Sequence, residues 1–188
     1  MGARAASAAA TGERILDAAV ELFWEAPDVD LSLDEVARRA GVTVQTVIRR
    51  FGGKDGLFAA AIEREAERVR AQRDEAPEDD LAGAVRVLVD HYEDLGGRVI
   101  RLLAEAERNP RIREIAEGGR KYHRDWCARV FAAALAGHKG VERQRRLGQV
   151  VAVCDVYVWK LLRRDGGLSR SQTELALVEL LTPVTEGS

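Results

Sequence analysis

Positive charge is concentrated in one short stretch of a chain whose formal net charge is −2. Residues 11–35 contain one basic side chain, Arg14, among eight Asp and Glu residues. Residues 36–54 reverse this balance, with no acidic residue and with Arg38, Arg39, Arg49, Arg50 and Lys54. A polyanion would bind such a stretch, although a solvated helix face is the commoner reason for a run of charge.

The stretch Thr43–Phe51 separates its polar and apolar side chains when it is drawn as a helix of about 100° per residue. One side carries Val44, Val47, Ile48 and Phe51, and the other carries Thr43, Gln45, Thr46, Arg49 and Arg50. Arg suits the acceptors of guanine and Gln suits adenine in the major groove of DNA. The pattern therefore predicts a helix whose polar side contacts base edges.

Capping residues define the elements that would hold this helix. Ser32 and Glu35 form a capping-box pattern at the start of the preceding helix, and Gly41 suits its left-handed end. Thr43 then caps the polar helix, and Lys54 begins the next helix, where backbone N–H groups also favour a phosphate. Two short helices joined by a three-residue turn are the helix-turn-helix pattern.

With these features, residues 11–60 resemble the amino-terminal domain of the TetR/AcrR family of bacterial transcriptional repressors. The resemblance is carried by "TGERILDAAVELF" and "LSLDEVARRAGVTVQTVIRRFGGKDGLF". It implies a homodimer, DNA binding through the third helix, and a carboxyl-terminal domain for a small molecule. It further implies that Ser32 and Lys54 contact phosphates, that Thr43, Gln45, Thr46 and Arg50 lie at or near base edges, and that Arg49 serves either role.

Two residues depart from the family pattern. Ile48 stands where the family usually has a phosphate-contacting Tyr, and Gln45 stands where a small residue is common. The first change removes a backbone contact and the second alters base preference. The operator sequence is therefore not carried over.

The remaining pattern predicts an all-α chain of about nine helices: a three-helix helix-turn-helix domain followed by a helical bundle. We expect a disordered tail over 1–10, the DNA-binding domain over 11–56, and an effector-binding and dimerisation domain over 57–188. Two cysteines within apolar patterns and the lack of an 18-residue apolar run predict a soluble, cytoplasmic protein without a membrane segment.

Aromatic and polar side chains among apolar ones suggest an effector pocket, although each also suits an ordinary core. The candidates are His91, Tyr92, Leu103, Glu107, Tyr122 and Trp126. A predicted helix over residues 147–162 is apolar nearly all round, which favours coverage by a second copy or by the last helix. The predicted dimer interface is Val153, Val156, Trp159, Leu175 and Val178.

Metal binding and catalysis are disfavoured. His91, His123 and the two cysteines lack a chelating spacing on one helix, and His123 and Asp125 point in different directions from a helix. We therefore expect no metal, no cofactor and no enzyme activity. The sequence predicts a ligand-responsive regulator, a repressor by default, that binds palindromic operator DNA as a homodimer. The alternatives are a helical small-molecule binder or enzyme with a basic surface helix, and a DNA-binding dimer without an effector.

Overall fold

The computed structural model describes residues 3–25, 31–78 and 80–185, and within them every regular element is helical. This confirms the all-α prediction. Contacts divide the chain into two compact units, unit 1 (Met1–Arg70) and unit 2 (Ala71–Ser188).

Unit 1 contains the first four helices: α1 (Ala3–Glu25), α2 (Leu33–Ala40), α3 (Val44–Phe51) and most of α4 (Lys54–Arg73). Its core includes Ile15, Ala19, Val36, Val47, Leu57 and Ala61. The boundary after residue 56 between a DNA-binding and an effector-binding domain stays a prediction. By packing, residues 57–70 join the amino-terminal helices because Leu57 and Ala61 lie in their core.

The helix α1 begins earlier than the sequence pattern predicts. We expected a disordered tail over 1–10 and a helix from about residue 13, whereas α1 starts at Ala3. Residues 1 and 2 lie outside the described part of the chain. Alanine has the highest intrinsic helix propensity, so an alanine-rich stretch extends a helix that has already formed downstream.

The helix-turn-helix forms as predicted, with each cap in place. The Ser32 Oγ accepts the Glu35 N–H at 3.4 Å, and the Thr43 Oγ1 accepts the Thr46 N–H at 3.3 Å. Gly41 ends α2 with a φ of 65°, and Gly52 ends α3 with a φ of 78°. These left-handed conformations favour glycine, which explains why each helix stops where it does.

Unit 2 contains α5 (Leu81–Glu105), α6 (Pro110–Val130), α7 (Ala132–Ala136), α8 (Gly140–Val153), α9 (Val156–Lys160), a π-helical turn (Leu161–Asp165) and α10 (Arg170–Thr185). The helix α5 is continuous through Gly96. A Cβ at Gly96 would stand 2.5 Å from the Trp159 ring, so glycine there lets the indole approach the helix closely.

The predicted long helix over residues 147–162 is interrupted. The helix α8 ends at Val153, and Asp155 caps α9 by accepting the Tyr157 N–H at 2.9 Å. The interruption changes which side chains face the core, because a break resets the helical periodicity. Val156 and Trp159, predicted to face a partner, are instead 4% and 1% exposed within unit 2. This burial leaves little of either side chain for a partner to contact, and their place in a dimer interface stays a prediction.

No helix in the described residues is both long enough and apolar enough to cross a bilayer.

Candidate functional site

The outward side of α3 carries the polar residues that the sequence pattern grouped there. Gln45, Arg49 and Arg50 are exposed, and Thr46 is half-buried. Val47, on the opposite side, is fully buried in the core of unit 1. The helix therefore packs through its apolar side and exposes a polar side that contains no carboxylate.

The remaining predicted contacts flank this helix. Thr43 and Ser32 are exposed, and each caps its helix through its hydroxyl. The hydroxyls of Thr43 and Thr46 are also 3.0 Å apart, which fixes their orientation at the start of α3. Lys54 is half-buried at the first position of α4.

The Arg50 side chain lies against α1. A Cβ at Gly12 would collide with the guanidinium of Arg50, so glycine leaves space there for the side chain. Neither Arg49 nor Arg50 forms a salt bridge with any residue in the described ranges. Their positive charges are thus not neutralised by any carboxylate among the described residues.

The other two arginines of the basic stretch have structural partners. Arg39 donates both Nη groups to Glu25 at 2.7 Å and its Nε to Glu35 at 2.9 Å. Arg38 pairs with the same Glu35 carboxylate at 2.6 Å. The sequence pattern had this carboxylate returning to the Ser32 backbone as a capping box, but the two guanidiniums bind it instead. Arg38 and Arg39 therefore connect α2 internally and to α1.

These hydrogen bonds predict an acid-dependent loss of stability. The hydrogen bond from Arg38, followed by that from Arg39, lowers the pKa of Glu35 from 4.5 to about 2. A lowered pKa in the folded state stabilises the protein above about 4.5, and this contribution is lost as the pH falls toward about 2. We expect Glu35→Gln to flatten the fall in the free energy of unfolding over that window, measured by urea denaturation. Equal pH slopes in parent and variant would contradict this assignment.

In unit 2, four of the six predicted pocket residues contribute to one connected group of buried and half-buried side chains, here called the polar cluster. It comprises Gln72, Arg73, His91, Tyr92, Tyr122, His123, Trp126, Cys127 and Cys154. His91 donates Nδ1 to the Gln72 Oε1 at 3.1 Å, and the Tyr92 hydroxyl donates to the Cys154 carbonyl at 2.8 Å. Burial raises the pKa of Tyr92, so this phenol remains a neutral donor.

The other two predicted pocket residues lie elsewhere. Leu103 is half-buried against the core of unit 2, and Glu107 is exposed, just beyond the end of α5. The predicted placement of Glu107 assumed a separate helix after Ile100. Because α5 continues to Glu105, Glu107 falls in the following turn, where its carbonyl accepts from Arg113.

The sequence pattern did not identify Arg73, the charged residue of this cluster. Arg73 is 3% exposed, and its guanidinium lies 4.1 Å from the centre of the Trp126 ring. Its Nη2 donates to the His123 Nδ1 at 3.1 Å, and Trp126 donates to the Arg73 carbonyl at 2.9 Å. The local sequence "RVRAQRDEAPEDD" is rich in charge, which is typical of a surface and gave no signal of burial.

The two cysteines are reduced and buried in this cluster. The hydrogen bond from the Cys154 thiol, helped by His123, lowers the pKa of Cys127. The same hydrogen bond and burial raise the pKa of Cys154. In the described ranges, no group of three or more His, Cys, Asp or Glu residues is arranged to hold a metal ion.

Large apolar side chains are exposed on α9, the π-helical turn and α10. They are Tyr157 at 48%, Leu161 at 60%, Leu175 at 58% and Leu180 at 47% exposure. Of the remaining predicted interface residues, Val153 and Val178 are half-buried against the core of unit 2. Of the predicted interface residues, Leu175 is thus the exposed one, and the other exposed apolar side chains are its neighbours on these elements.

Comparisons with known proteins agree with this architecture. Residues 15–61 match the family model for bacterial regulatory proteins of the tetR family. The chain is 29% identical over 161 residues to the HTH-type transcriptional repressor KstR of Mycolicibacterium smegmatis. This alignment covers 80% of this chain and 74% of KstR. It is 48% identical over 58 residues to the HTH-type regulator TtgW of Pseudomonas putida, covering 31% of this chain and 43% of TtgW.

The fold is shared with solved structures over almost the whole chain. The crystal structure of a transcriptional regulator from Rhodococcus sp. Rha1 matches with a TM-score of 0.64 at 22% identity. The match covers 94% of this chain and 96% of that one.

A helix-turn-helix that exposes a cationic helix, placed before a helical bundle, defines the class of DNA-binding transcriptional regulators. Within that class, residues 15–61 match the model for bacterial regulatory proteins of the tetR family, and the chain is similar over most of its length to a repressor.

Proposed function

We propose that this protein is a homodimeric repressor that binds a palindromic operator through α3 and releases it when a small molecule binds unit 2. The observation that carries the proposal is the exposed side of α3, which presents unneutralised arginines and no carboxylate. Repression is supported by the similarity to KstR, whose name describes a repressor.

The α3 residues have distinct proposed roles in DNA binding. Thr43, Gln45, Thr46 and Arg50 contact base edges, and Arg49 contacts either a base or a phosphate. Ser32 and Lys54 contact phosphates from the amino ends of α2 and α4, where backbone N–H groups also favour anions. Ile48 is 38% exposed beside this surface, and its methyl groups suit contact with thymine methyls.

Substitution of one base-contacting and one phosphate-contacting residue separates these roles. We expect Arg50→Ala to weaken specific binding by about 1–3 kcal/mol, because it removes hydrogen bonds to one base. We expect Lys54→Ala to weaken binding to all sequences alike and to reduce the salt slope by about one unit, because it removes one phosphate contact. Fluorescence anisotropy with operator and random duplex over a salt series measures both effects.

The matched control for this experiment is Arg98→Ala, which removes an exposed arginine from unit 2. Its DNA affinity should equal that of the parent. Parental affinity in both the Arg50 and the Lys54 variants would contradict the proposed interface.

The proposed dimer interface is the exposed apolar face of Tyr157, Leu161 and Leu175. Exposed large apolar side chains on adjacent elements mark an interaction surface, and a two-fold axis lets one such face cover its own copy. Val153 and Val178, half-buried against the core of unit 2, stay predicted members of the interface. A dimer holds two α3 helices at a fixed spacing, which matches two half-sites of a palindrome.

The polar cluster is the proposed effector site. Convergent polar groups inside an apolar helical unit are the usual composition of small-molecule pockets. Coupling of about 1–3 kcal/mol between effector and DNA binding would release an operator without unfolding the protein. The effector acts by changing the spacing of the two α3 helices.

Selection of bound sequences from a random duplex pool tests the proposal most directly. We expect an enriched palindrome, since a symmetric dimer reads the same bases twice. Enrichment of a single half-site would contradict the dimer. The absence of any enrichment, with equal retention of random duplex at low and moderate salt, would contradict DNA reading by α3.

A further inference from the structure

We propose that unit 2 binds a small organic acid, whose carboxylate pairs with Arg73 and whose body is apolar. This inference rests on the proposed effector function and names the chemical class of the effector. It depends on one buried positive charge for which the described residues provide no carboxylate.

Arg73 is buried without the partner that a buried cation normally has. Its side chain is 3% exposed, and no Asp or Glu in the described ranges lies within the 4.0 Å limit of a salt bridge to it. The adjacent Asp74 pairs instead with Arg129 at the surface of unit 2. A buried charge of this kind is unfavourable unless an anion accompanies it.

The guanidinium of Arg73 also has hydrogen-bonding capacity left over. Its Nη2 donates to the His123 Nδ1, but its Nε is buried without any hydrogen-bond acceptor. The plane of a guanidinium presents adjacent N–H groups that match the two oxygens of a carboxylate. An incoming carboxylate would therefore supply both the missing charge and the missing acceptor.

His123 does not change this charge balance. Because its Nδ1 accepts from Arg73, its Nε2 carries the hydrogen, which is donated to the Val151 carbonyl at 3.2 Å. Neither of these two partners is a carboxylate. The Cys127 Sγ lies 3.8 Å from the same Nε2, and the lowered pKa of this thiol makes it an internal source of negative charge near Arg73.

The surroundings of Arg73 indicate an apolar body for the acid. The Arg73 guanidinium lies over the rings of Trp126 and Tyr122, and the Phe131 ring packs against Trp126. Trp126 also packs within the apolar core of unit 2, which includes Leu88, Val130 and Leu135. Such walls favour a hydrocarbon or aromatic body over a sugar or a polyanion.

The test compares acids with alcohols of matched shape on the full-length protein. The probes are octanoate with octanol and benzoate with benzyl alcohol, with dissociation constants from tryptophan fluorescence or thermal shift. We expect the parent to bind at least one acid about tenfold more tightly than its alcohol, as a hydrogen bond to a charged group implies. In Arg73→Met the acid and the alcohol should bind equally.

Two control variants keep the test decisive. Arg98→Met removes an exposed arginine from the same unit and should retain the parental preference for acids. Arg73→Lys should retain part of it, because the charge remains while the planar donor pair is lost. Because Arg73→Met leaves the His123 Nδ1 without its donor, circular dichroism and thermal unfolding first establish that each variant is folded.

Other outcomes overturn the proposal. Equal binding of acids and alcohols by the parent, or binding of neither, would show that Arg73 does not recognise a carboxylate. A preference for acids that appears only in Cys127→Ser would show that the Cys127 thiolate already neutralises Arg73. DNA retention is measured on the same samples without probe, so a failure of the proposed regulator is seen separately from a failure of acid binding.

Discussion

Replacement of both Leu161 and Leu175 by glutamate is expected to produce a monomer whose affinity for a palindromic operator is lower by at least about 100-fold. The two leucines are 60% and 58% exposed, and a carboxylate in a two-fold interface would be desolvated beside its own copy. Loss of the second linked half-site removes an avidity gain of about 100-fold or more. Analytical ultracentrifugation and mobility-shift titration measure the two effects.

The matched control is Val141→Glu. Val141 is the most exposed large apolar residue in the described ranges, at 80%, and it lies at the start of α8, outside the proposed face. This variant should remain dimeric and bind the operator as the parent does. A Leu161→Glu, Leu175→Glu protein that sediments as a dimer would place the interface elsewhere.

Trp159→Ala is expected to reduce the free energy of unfolding by about 3–5 kcal/mol, the usual cost of truncating a buried aromatic side chain. The indole is 1% exposed, contacts α5 at Gly96, and donates Nε1 to Glu93 at 3.3 Å. Its removal leaves a cavity that the helix cannot fill. Urea denaturation at a fixed protein concentration measures the change, because dimerisation makes stability depend on concentration.

The control for this prediction is Val141→Ala, a surface truncation expected to change stability by no more than about 0.5 kcal/mol. The experiment also distinguishes a place in the core of unit 2 from a place in the dimer interface for Trp159. A Trp159→Ala protein that dissociates into stable monomers would indicate that Trp159 belongs to the dimer interface, as the sequence pattern predicted.

The helix-turn-helix was predictable from sequence because its determinants are local. Ser32 and Thr43 cap their helices through side chains within three residues, and Gly41 takes a left-handed conformation that is unfavourable for other residues. The polar side of α3 follows from its helical period alone. The exposure of Gln45 and Arg49 therefore agrees with the periodicity.

Some local signals were outweighed by competing contacts. The Ser32 and Glu35 pattern is that of a capping box, yet the Glu35 carboxylate binds Arg38 and Arg39. Two guanidiniums attract a carboxylate more strongly than one backbone N–H does. One of those cations also binds Glu25, from a different helix, which a local pattern does not reveal.

The sequence by itself determined the helical class, the caps of α2 and α3, and the polar side of α3, because each depends on residues within one or two turns. Only the tertiary structure decided that Trp159 is buried, that Leu161 is exposed, and that Arg73 is enclosed beside Trp126. The break at Asp155 changes which side chains of the next helix face the core. Burial of an arginine likewise depends on which helices surround it. Burial is a property of packing between distant segments, which helical periodicity does not specify.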